Sequence, residues 1–161
     1  MKSSKKSILS GIGFGFTSGV ITTLGLILGL SVGTQSKLAV IGGILTIAIA
    51  DAMSDSLGIQ ISQESAGNTK EKNTWIAAAA TFLSKLVSAL TFAVPFMLFS
   101  INVATVICLI WGFIMLSIVS FSLANELHQK PLHIIKSHLG LSLLVLLASL
   151  AVGELIKKYL G

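Results

Sequence analysis

Two aspartates stand four positions apart in an otherwise apolar run, "ILTIAIADAMSDSLGIQI", Ile44 to Ile61. At about 100° per residue, Asp51 and Asp55 lie one turn above each other on one helix face, with Ser54 and Gly58 close to it. A carboxylate at the centre of a bilayer costs at least about 2.5–3.5 kcal/mol. Two of them within about 6 Å repel when both are ionised. Such a pair is expected to hold a proton as one coupled unit and to release it when a cation arrives. A divalent metal replacing protons is the physical core of a metal/proton exchanger. The alternative is structural, with the aspartates bonded to hydroxyls or to Lys85, the one lysine inside an apolar run.

Other residues extend this candidate site. Gly11, Gly15, Ser18, Thr22, Gly25 and Gly29 recur at intervals of four and three, forming one small-residue stripe along a helix. Small faces let helix backbones approach closely in lipid, where packing drives association. The hydroxyls of Ser18 and Thr22 are expected to face the aspartates and line a polar path. Glu64 is expected at the inner mouth of the same helix, where it would collect cations as a third acidic ligand. His128, His133 and His138 fall at intervals of five, which suits neither a helix face nor zinc spacing. They read as a basic membrane-surface segment around Pro131. Cys108, the only cysteine, cannot form a disulfide within the chain and reads as a buried, inert thiol.

The elements that must position these groups follow from composition. The chain has 161 residues, 53% of them hydrophobic and only 11% charged, and a mean hydropathy of +0.93. A soluble domain would carry about twice that charged fraction. Apolar stretches of about 20 residues and more mark bilayer spans. The expected fold is an all-α integral membrane protein, a single transmembrane domain over residues 1–161. Its five spans are placed at about 8–30, 38–61, 75–99, 101–124 and 139–159. The third and fourth derive from one apolar run of about 50 residues, roughly 75 Å as a single helix, so it must fold back. "SIN" at Ser100 to Asn102, shortly after Pro95, is the expected turn. The start, "MKSSKKSILSGIGFGF", has a basic head but no A-x-A-like cleavage site, so the first span reads as retained.

The net charge of +5 comes with lysine as the only strong base, there being no arginine. The lysines flank apolar segments rather than form a stripe with aromatics, which argues against nucleic acid as a partner. With the amino terminus inside, Lys2, Lys5, Lys6, Lys70, Lys72, Lys130 and Lys136 are cytoplasmic, and Lys37, Lys157 and Lys158 lie outside. That bias fits an odd number of spans in a multi-pass protein of the plasma membrane. Trp75 and Tyr159 fall at span ends as interfacial aromatics, and Trp111 in a core or lipid-facing position.

"GFTSGVITTLGLILGL" followed by "ADAMSDSLGIQISQES" resembles the first two spans of the vacuolar iron transporter family. "LTFAVPFMLF" and "ASLAVGELIKKYLG" are similar to the ends of its third and fifth spans. The resemblance implies a homodimer whose first and second spans line a pathway at the two-fold axis. It also implies export of Fe²⁺ or Mn²⁺ from the cytoplasm, coupled to protons, with the metal as cargo and no permanently bound cofactor. Carried over residue by residue, the family's first-span aspartate falls at Ser18, its second-span glutamate at Ile47 and its pathway methionine at Asp55. Asp51 stands where the family is usually small, so the acidic groups gather on one turn of the second span. A dimer would place four aspartates around the axis. The family's glutamate-rich cytoplasmic domain has no room between Gln63 and Asn73. An all-oxygen site suits Mn²⁺, Fe²⁺ or Mg²⁺ better than copper or zinc.

Two other classes compete with transport. "DAMSD" has the D-x-x-x-D spacing by which membrane phosphotransferases hold Mg²⁺, although it lacks their further aspartates and upstream arginine. The expectation is that the chain is not an enzyme. The second class is a non-transporting membrane subunit in which Lys85 pairs with an aspartate to assemble the helices.

Overall fold

A computed structural model describes residues 2–67, 71–126 and 128–160. Five helical segments, Ser4–Thr34, Lys37–Ser65, Glu71–Leu98, Ile101–Glu126 and Pro131–Tyr159, are long and apolar enough to cross a membrane. They are built from seven α-helices, α1 (Lys2–Thr34), α2 (Lys37–Thr46), α3 (Ala52–Ser65), α4 (Glu71–Thr91), α5 (Ala93–Leu98), α6 (Ile101–Glu126) and α7 (Pro131–Tyr159). A π-helical turn, Ile47–Asp51, joins α2 to α3. No strand occurs among the described residues. Backbone polar groups closed within each segment are what a bilayer demands of a spanning chain.

The segments run past the boundaries expected from hydropathy. The fifth differs most: α7 begins at Pro131 rather than near residue 139. Proline is suited to the first helical turn, because the N–H it lacks would have no partner there. His133 and His138 therefore lie within α7, His133 exposed in its first turn. The expected fold-back holds, with α5 ending at Leu98 and α6 starting at Ile101. The third segment carries a further break at Phe92 that hydropathy did not indicate. Pro95 has no N–H to offer the Thr91 carbonyl, and the Phe92 amide bonds three residues back, to Ala89, at 3.1 Å. Between α1 and α2 a tight turn uses Gln35 at φ 52°, and the Ser36 hydroxyl caps α2 by accepting from the Ala39 amide at 3.2 Å. Lys70, one of the lysines assigned to the amino-terminal face, lies outside the described residues.

Helix α1 is the hub. Val20, Leu24 and Ile27 on α1 are fully buried against Val40 and Ile44 of α2, Phe92 and Phe96 around the break, and Ala104 and Cys108 of α6. The small-residue stripe is real, but it serves two neighbours in turn. Its first half, at Gly11 and Gly15, together with Gly19 beside it, meets Ala77, Thr81 and Lys85 of α4. Its second half, at Gly25 and Gly29, together with Gly33 beyond it, meets Ser149, Gly153 and Ile156 of α7. Rising numbers on both sides of each contact make α1, α4 and α7 parallel, as alternate spans must be. The approach is backbone to backbone: a Cβ at Gly153 would lie 2.7 Å from the Gly29 carbonyl oxygen. One at Gly15 would press on the Thr81 carbonyl and the Ser84 hydroxyl. Gly15→Ala is therefore expected to lower stability by about 1–3 kcal/mol through forced separation of α1 and α4. Gly140→Ala, where nothing lies within 4 Å, should leave the unfolding temperature in detergent unchanged or slightly raised.

Candidate functional site

Asp51 ends the π-turn and Asp55 lies in the first turn of α3. A π-turn carries i→i+5 bonds and resets the helical register, and such turns gather at functional sites. Here it brings both carboxylates to Lys85 of α4. The Lys85 Nζ is 2.6 Å from Asp51 Oδ2 and also pairs with Asp55 Oδ2. Its third contact is Ser18 Oγ of α1 at 3.0 Å. An ammonium has three protons to donate; Lys85 donates hydrogen bonds to Asp55 Oδ2 and Ser18 Oγ, whereas its contact with Asp51 Oδ2 is a charge pair in which that buried oxygen receives no hydrogen bond. Ser18 in turn donates to Asp55 Oδ2 at 2.6 Å. Three helices thus meet in one network: α1 supplies a hydroxyl, α4 a cation, and the π-turn with α3 two anions.

Burial is unequal within the network. The Lys85 side chain is 0% exposed, whereas Asp51 keeps 32% and Asp55 21% of their surface. The small neighbour Gly19 makes room for the lysine stem, since a Cβ there would sit 3.0 Å from Lys85 Cγ. Both Oδ2 atoms face inward to the ammonium. Neither Oδ1 atom has a hydrogen-bond partner among the described residues. With all three groups charged, the cluster sums to −1, from +1 and two times −1.

The other sequence candidates fall outside this network. Thr22 turns its hydroxyl back to the Ser18 carbonyl at 2.9 Å and does not face the aspartates. Ser54 is exposed rather than packed beside the carboxylates. Glu64 is exposed and accepts from Gln60 Nε2 at 3.2 Å. Nine residues beyond Asp55, it stands about 13 Å further along the helix, too far to be a third ligand in the same protomer. No three His, Cys, Asp or Glu side chains converge among the described residues. The three-way use of Lys85 and the π-turn are the features that sequence reasoning missed. A mid-helix lysine on the span next to the carboxylates was the only signal for the first.

His138 Nδ1 bonds to Ser120 Oγ at 2.8 Å, joining α7 to α6. Cys108 is buried, as expected, with its thiol directed to the Phe92 carbonyl at 3.5 Å. Trp111 is half-exposed and donates from its indole nitrogen to Thr91 Oγ1 at 3.3 Å, across the break before α5.

No protein-family model, curated protein or solved structure matches this chain. The likeness to vacuolar iron transporters rests on its short motifs alone.

Proposed function

We propose that the chain is a multi-pass membrane transporter that exchanges a cation for protons at Asp51, Asp55 and Lys85. One observation carries the reading: two partly open carboxylates share a single buried ammonium, and Asp51 Oδ2 is paired to it by charge but receives no hydrogen bond. The cluster is left with one unmatched negative charge and two Oδ1 atoms available to a guest. Ionisable side chains at membrane depth are costly, and those that persist usually line a pathway. The donor atoms are all oxygen, so the cargo class is a hard divalent cation, Fe²⁺ or Mn²⁺. Adding +2 to a cluster of −1 gives +1, and release of one proton restores neutrality. Charge balance alone therefore links metal occupancy to proton release.

The wider reading places the amino terminus in the cytoplasm and the chain in the plasma membrane, exporting metal. The lysine distribution supports that orientation. The partner is a second copy, packed through the first and second spans. Its support is an open face on the second span, where Gly42 and Gly58 meet nothing within 4 Å and Leu45, Ile49, Met53 and Leu57 stand half-exposed in a row. In such a dimer two half-open carboxylate pairs would share the metal. Membership in the vacuolar iron transporter family belongs to the same proposal.

The total burial of Lys85 favours a second reading, a non-transporting subunit in which the ion network only locks α1, α3 and α4 together. Thermal unfolding of purified protein with Mn²⁺, Fe²⁺, Mg²⁺, Ca²⁺ and Zn²⁺ separates the two. A ligand at about a hundred times its Kd adds about 2.7 kcal/mol to the folded state. Mn²⁺ or Fe²⁺ is expected to raise the unfolding temperature of the wild type, more strongly at higher pH. The effect is expected to vanish in Asp51→Asn/Asp55→Asn. Absence of any metal effect, with Lys85→Ala and Asp51→Asn equally destabilising, would support the structural lock.

A further inference from the structure

The parallel helices α1 and α7 touch closely at Gly29 and Gly153 and splay apart toward the amino-terminal end. Between them and the end of α6 lies a cavity of about 930 Å³, with Lys5, Lys6 and Glu126 at its mouth and Ser18 and Thr22 at its inner end. We infer that this cavity is a water-filled vestibule leading from the lysine-rich end to the carboxylate cluster. The inference rests on the reading of that cluster as an exchange site.

Three observations carry it. The inner end includes Ser18, whose hydroxyl is one hydrogen bond from both Asp55 and Lys85. Bulk water in the cavity would thus stand one side chain away from the buried ions. The second observation concerns the wall. Ser10 and Thr17 line the cavity, and neither hydroxyl has a partner among the described residues. Away from the cavity Thr34 bonds back to the carbonyl four residues earlier, as Thr22 does at the cavity's inner end, the usual resort of a hydroxyl in a lipid-bound helix; Thr23, buried outside the cavity, has no partner among the described residues. Hydroxyls left without that bond at membrane depth are tolerated where water reaches them. His138 completes the wall, its Nδ1 engaged with Ser120 and its other ring nitrogen without a partner among the described residues.

The third observation is size and charge. At about 30 Å³ per molecule the space holds on the order of 30 waters. The mouth sums to +1, from Lys5 and Lys6 against Glu126, with Lys5 and Glu126 3.9 Å apart. Two ammonium groups repel a dication, so the vestibule suits water rather than the metal. The competing occupant is an acyl chain, since Leu9, Phe14, Ile21, Leu123 and Leu141 make most of the wall apolar.

Cysteine labelling distinguishes them, with the full chain in proteoliposomes. The native Cys108 is 0% exposed, so the wild type gives the background. Thr17→Cys and Ser10→Cys test the wall, and Ile118→Cys, 61% exposed on α6, reports a position on the outer face. The probes are an anionic, membrane-impermeant methanethiosulfonate and a lipid-soluble maleimide. The thiosulfonate needs a thiolate, which forms where water is present. The vestibule predicts that Thr17→Cys and Ser10→Cys react with it at least tenfold faster than Ile118→Cys. Labelling of Thr17→Cys by the maleimide alone would mean lipid in the groove, and labelling by neither probe would mean a closed one. Either result overturns the inference. Labelling needs no flux, so a transport-dead Asp51→Asn variant that still labels at Thr17→Cys isolates a failure of the site from a failure of the vestibule.

Discussion

Lys85→Met is expected to lower stability by about 3–5 kcal/mol, the cost of removing one partner from a buried ion pair. The ammonium is wholly buried and serves Asp51, Asp55 and Ser18 together. Without it, two carboxylates one helical turn apart face each other with no counter-charge. The neutral triple variant, Lys85→Met with Asp51→Asn and Asp55→Asn, should recover most of the loss, because ion pairs replaced by neutral groups are often close to isoenergetic. Unfolding in detergent, followed by circular dichroism, measures both. The single variant carries a further expectation. Its cluster has a charge of −2, which one divalent ion neutralises, so Mn²⁺ should stabilise Lys85→Met more than the wild type. A triple variant as unstable as the single one would mean that packing of the lysine stem, not charge, holds the helices.

Much of the architecture was legible in the sequence because the bilayer imposes a length on each span. Runs of about 20 apolar residues gave five segments, and one run too long for a single crossing gave the fold-back at Ser100. The start of α7 was placed late because Lys136 and His138 lower local hydropathy, although Pro131 is a legible first-turn residue. The break at Phe92 follows from Pro95, which sequence reasoning used only as a pointer to the later turn. The π-turn has no residue signature in "IAIAD"; it arises where α2 packs on α1 while α3 turns its acids to Lys85. Helical projection placed Asp51 and Asp55 together and singled out Ser18 and Lys85. It erred on Thr22, since projection shows a face but not whether a hydroxyl turns back to its own carbonyls, and Ser54 is exposed rather than beside the carboxylates. Glu64 is exposed near the end of α3, and its distance along that helix keeps it apart from the cluster.

Asp51→Asn/Asp55→Asn is expected to remove transport altogether, and to lower stability because the buried Lys85 loses its counter-charges. Two amides keep the shape of the carboxylates and lose the charge that would hold a cation. Either single change leaves a cluster of zero net charge with Lys85 in place, so each single variant should already lose most of the flux. The double variant leaves Lys85 as a buried, unmatched cation, and its folding must be checked beside its flux.

Flux is the direct measurement. Purified protein in liposomes, with Mn²⁺ on one side and an imposed pH gradient, should move the metal against the proton flow. Movement should cease without the gradient and fall to the level of empty liposomes in the folded double variant. Gradient-dependent Mn²⁺ or Fe²⁺ movement that persists undiminished in Asp51→Asn/Asp55→Asn would contradict the assignment of the exchange site to these residues.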